Sequence, residues 1–259
     1  MDIIFMSILA GVFGMGLGGL ITAVWGSRTD KMISIFLSFA GGVMISIVLL
    51  ELIPEAVEYS NTVITIIGLV IGAVMVMLLN DFLDKISSSN YIKPKLHESY
   101  TEFFHSEKII ANKRNMLRSG MVMFFAIGLH NIPEGLAMGA AGNHDAHLGF
   151  TLALMIGLHN IPEGMAIAAP LISGGLTKVK TVMLTFLVGV PTVLGAIAGV
   201  IIGNISDFAV ALSFAMAGGA MLYVVFGEIL PQSIVTNKDR VPTVCALVGV
   251  ALGLLLIQI

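Results

Sequence analysis

Charge is what this sequence has least of. Its 13 Lys and Arg and 16 Asp and Glu amount to 11% of 259 residues, against about 25% in a typical soluble domain. With 57% of residues hydrophobic and a mean hydropathy of +0.99, a water-facing globular surface is excluded. Cysteine is nearly absent. Cys245 stands alone in an apolar run, so there is no disulfide framework and the thiol reads as a packing residue. A basic leader region is missing too. The N-terminal stretch "MDIIFMSILAGVFGMGLGGLITAVWG" carries Asp2 and stays apolar too long for a cleaved signal. It reads as a retained first span.

What is there is a series of long apolar runs. A helix needs about 20 apolar residues to cross about 30 Å of hydrocarbon. Eight windows qualify, at about 3–24, 33–55, 62–82, 118–142, 148–171, 181–203, 207–230 and 241–259. The reading is an all-α polytopic membrane protein of eight transmembrane helices, one domain over residues 1–259, with a polar loop at about 83–117 between spans three and four. Glycine (29) and methionine (16) are abundant. Glycine suits close helix contact in lipid, and methionine is a pliant apolar filler.

The basic residues test this count. Linkers after spans one, three, five and seven hold Arg28 and Lys31, then Lys85, Lys93, Lys95, Lys108, Lys113, Arg114 and Arg118, then Lys178 and Lys180, then Lys238 and Arg240. Together these are all 13 Lys and Arg. The alternate linkers, "AVEYSNT", "GNHDAH" and "NISD", have none. An excess of Lys and Arg marks the cytoplasmic side, so both termini are expected outside.

Two repeats organise the chain. "AGGVMISIVLLELIPEA" (Ala40 to Ala56) resembles "AGGAMLYVVFGEILPQS" (Ala217 to Ser233), and spans two and seven run in opposite directions. "IGLHNIPEG" occurs twice, letter for letter, at Ile127 to Gly135 and Ile156 to Gly164, in spans four and five. Gly14 and Gly18 in span one, and Gly195, Gly199 and Gly203 in span six, have small-xxx-small spacing. The simplest architecture is an inverted repeat of three, two and three spans. Inverted repeats with interrupted central helices are typical of secondary transporters, which hold their substrate at the repeat interface.

The doubled motif carries the chemistry. Residues four apart share a helix face, so His130 aligns with Glu134 and His159 with Glu163. Pro133 and Pro162 have no N–H to give Leu129 and Leu158, which predicts a kink and a free carbonyl beside each histidine. A carboxylate at mid-bilayer costs at least about 2.5 kcal/mol, and no Lys or Arg lies between Arg118 and Lys178. A divalent cation is the natural counter-charge. Two imidazoles and two carboxylates suit Zn²⁺, Fe²⁺, Mn²⁺ or Cd²⁺ better than the all-oxygen shells of Ca²⁺ and Mg²⁺. Asn131 and Asn160 add oxygen ligands or orient the others. A histidine bonded to a glutamate on a neighbouring helix is also plain interhelical glue, but two identical copies in antiparallel helices weigh against that.

Other polar positions are weaker candidates. Glu51 and Glu228 sit at matched places in the spans-two-and-seven repeat and line a pathway or are solvated groups at span ends, while Met44 and Met221, also matched, offer soft sulfur to an ion or merely pack. His144, Asp145 and His147 form an entrance loop or a solvated turn. His97 and His105, with nearby acids, form a cytoplasmic metal site or ordinary loop polarity.

At the doubled "HNIPEG" the chain resembles the ZIP (Zrt/Irt-like) family of divalent metal transporters, of the bacterial or archaeal type. The resemblance covers the whole chain. It implies metal uptake into the cytoplasm across the cell membrane, through a binuclear-type site whose ligand set is His130, Asn131, Glu134, His159, Asn160 and Glu163. It also implies a homodimer. The metal, most readily Zn²⁺, is then a substrate rather than a catalytic cofactor, and no nucleic-acid partner is expected. The alternatives are an intramembrane metalloprotease, a transporter of protons or organic molecules, and a metal exporter. The protease needs H-E-x-x-H, and neither motif copy has that order. Relatives with an acid in span six use it to hold a second ion. Residues 181–204 here contain no Asp, Glu or His, so one tightly held ion and a weak or absent second are expected.

Overall fold

The computed structural model describes residues 2–26, 29–86, 113–144, 146–202 and 206–256. Among these, seven helices are long and apolar enough to cross a membrane: spans one (Ile3–Trp25), two (Asp30–Glu58), three (Thr62–Phe82), four (Met116–Ala140), five (Gly149–Ser173), six (Lys178–Ile201) and seven (Asp207–Thr236). The eighth, Val241–Leu256, is apolar and has 16 residues. Seven of the eight expected spans are thus of membrane length among the described residues, and the eighth corresponds to this apolar helix. The third helix continues to Ile86 and the fourth starts at Lys113, so both ends of the segment expected as a loop at about 83–117 are helical, and its remainder lies outside the described residues.

Side-chain caps fix where several spans begin. A helix start leaves backbone N–H groups without partners, and a Ser, Thr, Asp or Asn oxygen satisfies one. Thr29 accepts from the Met32 N–H at the head of span two, and Ser206 from the Ala209 N–H at the head of span seven. Asn61 accepts from the N–H groups of Val63 and Ile64 before span three, and Asp239 from Val241 before span eight. The caps recur at matched places, so the repeat is deeper than its apolar pattern.

Packing follows the same two-fold logic. Span one lies on span five, and span six on span four; span three lies on span seven, and span eight on span two. Glycine allows the backbones to approach: Gly18 abuts the Ile161 carbonyl, and Gly195 abuts that of Ile132. Without a hydrophobic force between helices in lipid, such close contact supplies the attraction. Two four-span groups result, one of spans one, four, five and six, the other of two, three, seven and eight. They meet where span two crosses five and span seven crosses four.

The helices of the doubled motif stay helical through their prolines. Lys113–His144 and Ala146–Ser173 run unbroken through Pro133 and Pro162. One lost hydrogen bond does not stop a helix held on several sides. The irregular turns lie in the flanking repeats instead. Span one has π-helical turns at Ile8–Phe13 and Thr22–Gly26, and span six breaks at Gly189. Spans two and seven carry matched π turns at Val48–Leu52 and Val225–Ile229, just before Pro54 and Pro231. There the Ile53 N–H reaches Val48 O and the Leu230 N–H reaches Val225 O. A π turn takes up one extra residue, which re-aims the side chains beyond it.

Candidate metal site

Spans four and five bring the two motif copies face to face. None of His130, Asn131, Glu134, His159, Asn160 and Glu163 exposes more than 2% of its surface. The pairing is reciprocal and crosses between helices. His130 Nε2 lies 3.3 Å from Glu163 Oε1, and His159 Nε2 lies 3.5 Å from Glu134 Oε1. The helical spacing aligned each histidine with the glutamate of its own span; the fold pairs each with the glutamate of the other.

These contacts satisfy only part of the site. His130 Nδ1, Asn131 Oδ1, both oxygens of Glu134, both ring nitrogens of His159, Asn160 Oδ1 and Glu163 Oε2 are buried without a hydrogen-bond partner. The 3.5 Å His159–Glu134 contact falls short of a hydrogen bond in geometry. Buried polar atoms are nearly always bonded, and leaving one unmet costs about 1–3 kcal/mol. Interhelical glue would bond these atoms to one another. Their chemistry, imidazole nitrogen with carboxylate and amide oxygen, is that of a transition-metal shell. As the side chains stand, they form two pairs. Among the described residues no three of His, Cys, Asp or Glu are set to clasp an ion without moving.

The asparagines are anchored in a way the sequence did not reveal. Asn131 Nδ2 donates to Val188 O in span six, at 2.9 Å, and Asn160 Nδ2 donates to Ala10 O in span one, at 3.0 Å. Both acceptors sit at the helix interruptions, in the Ile8–Phe13 π turn and beside the break at Gly189. The only hint in the sequence was a glycine after each, in "LAGVFG" and "LVGVP".

The weaker candidates divide. Glu51, in the π turn of span two, is partly buried and close enough for its charge to act on His159 and Glu134. Glu228, its counterpart, is engaged elsewhere: its carboxylate accepts from Asn80 Nδ2 at 3.4 Å and from Ser119 Oγ at 3.1 Å. Met44 and Met221 are fully buried in the apolar core. His147 is exposed at the start of the span-five helix. His97, His105, Asp145 and the side chain of His144 lie outside the described residues.

A repeat-built helical bundle with buried imidazole, carboxylate and amide groups on its central helices has the architecture of a secondary transporter. The ZIP Zinc transporter family model matches residues 2–259, and the chain belongs to that family. The zinc transporter ZupT of Akkermansia muciniphila is 33% identical, over 98% of this chain and 94% of its own. The zinc transporter ZupT of Chlorobaculum parvum is 32% identical, over 88% of this chain and 86% of its own. That of Streptococcus mutans is 28% identical, over 98% and 94%. The protein is thus a multi-pass cell-membrane transporter of divalent metal and not an enzyme, and the metalloprotease alternative falls away.

Proposed function

We propose that this transporter carries Zn²⁺ into the cytoplasm through the six motif residues, with Fe²⁺, Mn²⁺ and Cd²⁺ as further substrates. The observation that carries the reading is the convergence of eight unpartnered polar atoms in six buried residues, on two antiparallel spans. His130, Glu134, His159 and Glu163 are the principal ligands, and Asn131 and Asn160 offer their Oδ1 atoms. Each glutamate lies beside the histidine opposite. Small rotations turn the two pairs into one shell, and the cation then offsets the two carboxylates.

Direction rests on the resemblance to ZIP proteins, which implies uptake; the segregation of all 13 basic residues supports both termini outside. The same resemblance supports a homodimer, with each chain acting as one transport unit. Uptake of Zn²⁺ into proteoliposomes of known protein orientation, against Glu134→Ala/Glu163→Ala, tests the reading. Accumulation that is unchanged in the variant rejects the site. Export in place of accumulation rejects the direction.

A further inference from the structure

Spans one and six carry no histidine and no acid, yet both are interrupted beside the motif. We infer that Gly11 and Gly189 are positioning residues for the metal site: their crossing sets the carbonyls of Ala10 and Val188, which aim the amide oxygens of Asn160 and Asn131 into it. The inference rests on the ligand set proposed above.

The π turn first frees a carbonyl. In an unbroken α-helix the Gly14 N–H belongs to Ala10 O. Here it goes to Leu9 and Gly11, and Ala10 O accepts from Asn160 instead. In span six the Gly189 N–H turns back to Phe186 O at 3.3 Å, and Val188 O accepts from Asn131. The two irregular points then meet. A Cβ on Gly11 would lie 2.7 Å from Gly189 O and 2.7 Å from the Thr192 Cβ. A Cβ on Gly189 would overlap the carbonyl of Gly11 and come within 2.7 Å of Val12 Cα. Gly189 has an ordinary φ of −80°, so space and not backbone freedom demands glycine.

The consequence reaches the site. With Nδ2 held by a backbone carbonyl, an asparagine amide has one orientation, and its Oδ1 points away from the anchor. Both Oδ1 atoms are buried and unpartnered, which a purely structural asparagine would avoid. Ligand distances must hold to about 0.2 Å. A methyl group wedged into the crossing separates spans one and six, moves both carbonyls and turns both amides.

The test is titration of Zn²⁺ and Cd²⁺ into purified protein in nanodiscs, with thermal unfolding measured in parallel. Gly11→Ala and Gly189→Ala are expected to weaken Zn²⁺ binding about 10- to 100-fold, the usual cost of disturbing groups behind a metal's ligands, and to change the Zn²⁺ to Cd²⁺ preference. Gly72→Ala is the control. It meets the Met216 carbonyl in the crossing of spans three and seven, and is expected to lower the unfolding temperature with no change in preference. A folded Gly11 or Gly189 variant with both affinities intact overturns the inference. If neither variant folds, a Cd²⁺-loaded structure of the unmodified protein decides. Amides that stay on Ala10 O and Val188 O with Oδ1 on the ion support the inference, and amides that swing off those carbonyls overturn it. Cd²⁺ binding that survives Glu134→Ala/Glu163→Ala would instead fault the proposed ligand set.

Discussion

His130 and Glu163 are 33 residues apart in sequence and their side chains meet 3.3 Å apart in the buried middle of the bundle. His159 and Glu134 repeat the relationship at 3.5 Å with the helices exchanged. Each span thus supplies one base and one acid, and neither span forms either pair alone.

The first prediction follows from that reciprocity. Glu163→Gln leaves His130 beside an amide and removes one carboxylate from the shell. Glu134→Gln does the same to His159. Each variant is expected to lose most Zn²⁺ transport while remaining folded in the membrane, because the amide keeps the shape and part of the hydrogen bonding. Measured by radiolabelled uptake at matched expression, the two losses should be of similar size. Loss in one variant alone would contradict the two-fold account.

On the proposed ligand set, protons would compete with the ion for the same atoms. Metal binding needs neutral imidazole and ionised carboxylate, so binding releases protons and weakens in acid. Zn²⁺ affinity is expected to fall as pH is lowered from about 7.5 to about 5.5, with proton release visible in calorimetry in buffers of different ionisation enthalpy. An affinity indifferent to pH over that range would speak against histidine and glutamate as ligands.

The number of ions is a separate matter. Span six contributes no acid, and Val188 O is already taken by Asn131. Two dications against Glu134 and Glu163 leave excess charge in a low dielectric, which is costly. Glu51 is the acid outside the motif whose charge reaches His159 and Glu134. One tightly held ion is expected, with any second ion weak and dependent on Glu51. Anomalous scattering from crystals soaked in Cd²⁺ checks this. Two full peaks that persist in Glu51→Gln would contradict it.

Topology is testable by single cysteines in a background lacking Cys245. Residues of "GNHDAH" and "NISD" are expected to react with an impermeant thiol reagent in intact cells, and those near Lys178 or Lys238 to be protected. The reverse pattern would invert the topology and turn the expected entrance loop into an exit.

Much of this arrangement is legible in the sequence, for identifiable reasons. Span positions follow from apolar length, and the inverted repeat from letters such as those around Glu51 and Glu228. The six motif residues stand out because charge is so scarce around them. Their partners were less visible. Local spacing puts His130 with Glu134, but the closer approach is across helices, and tertiary packing decided it. Pro133 and Pro162 lie inside helices that continue through them. The π turns at Ile8–Phe13 and Val48–Leu52 leave no residue signature beyond a nearby glycine or proline. The Asn131 and Asn160 bonds to Val188 O and Ala10 O depend on backbone atoms of distant spans, which no side-chain pattern encodes.

The central claim is that one buried site shared by spans four and five carries the metal, and one experiment tests it most directly. Zn²⁺ uptake into proteoliposomes is measured for the unmodified protein and for Glu134→Ala/Glu163→Ala, with equal amounts of folded protein in each. The account predicts saturable accumulation in the first and no accumulation above empty liposomes in the second. Uptake by the double variant at near-normal rates would contradict it.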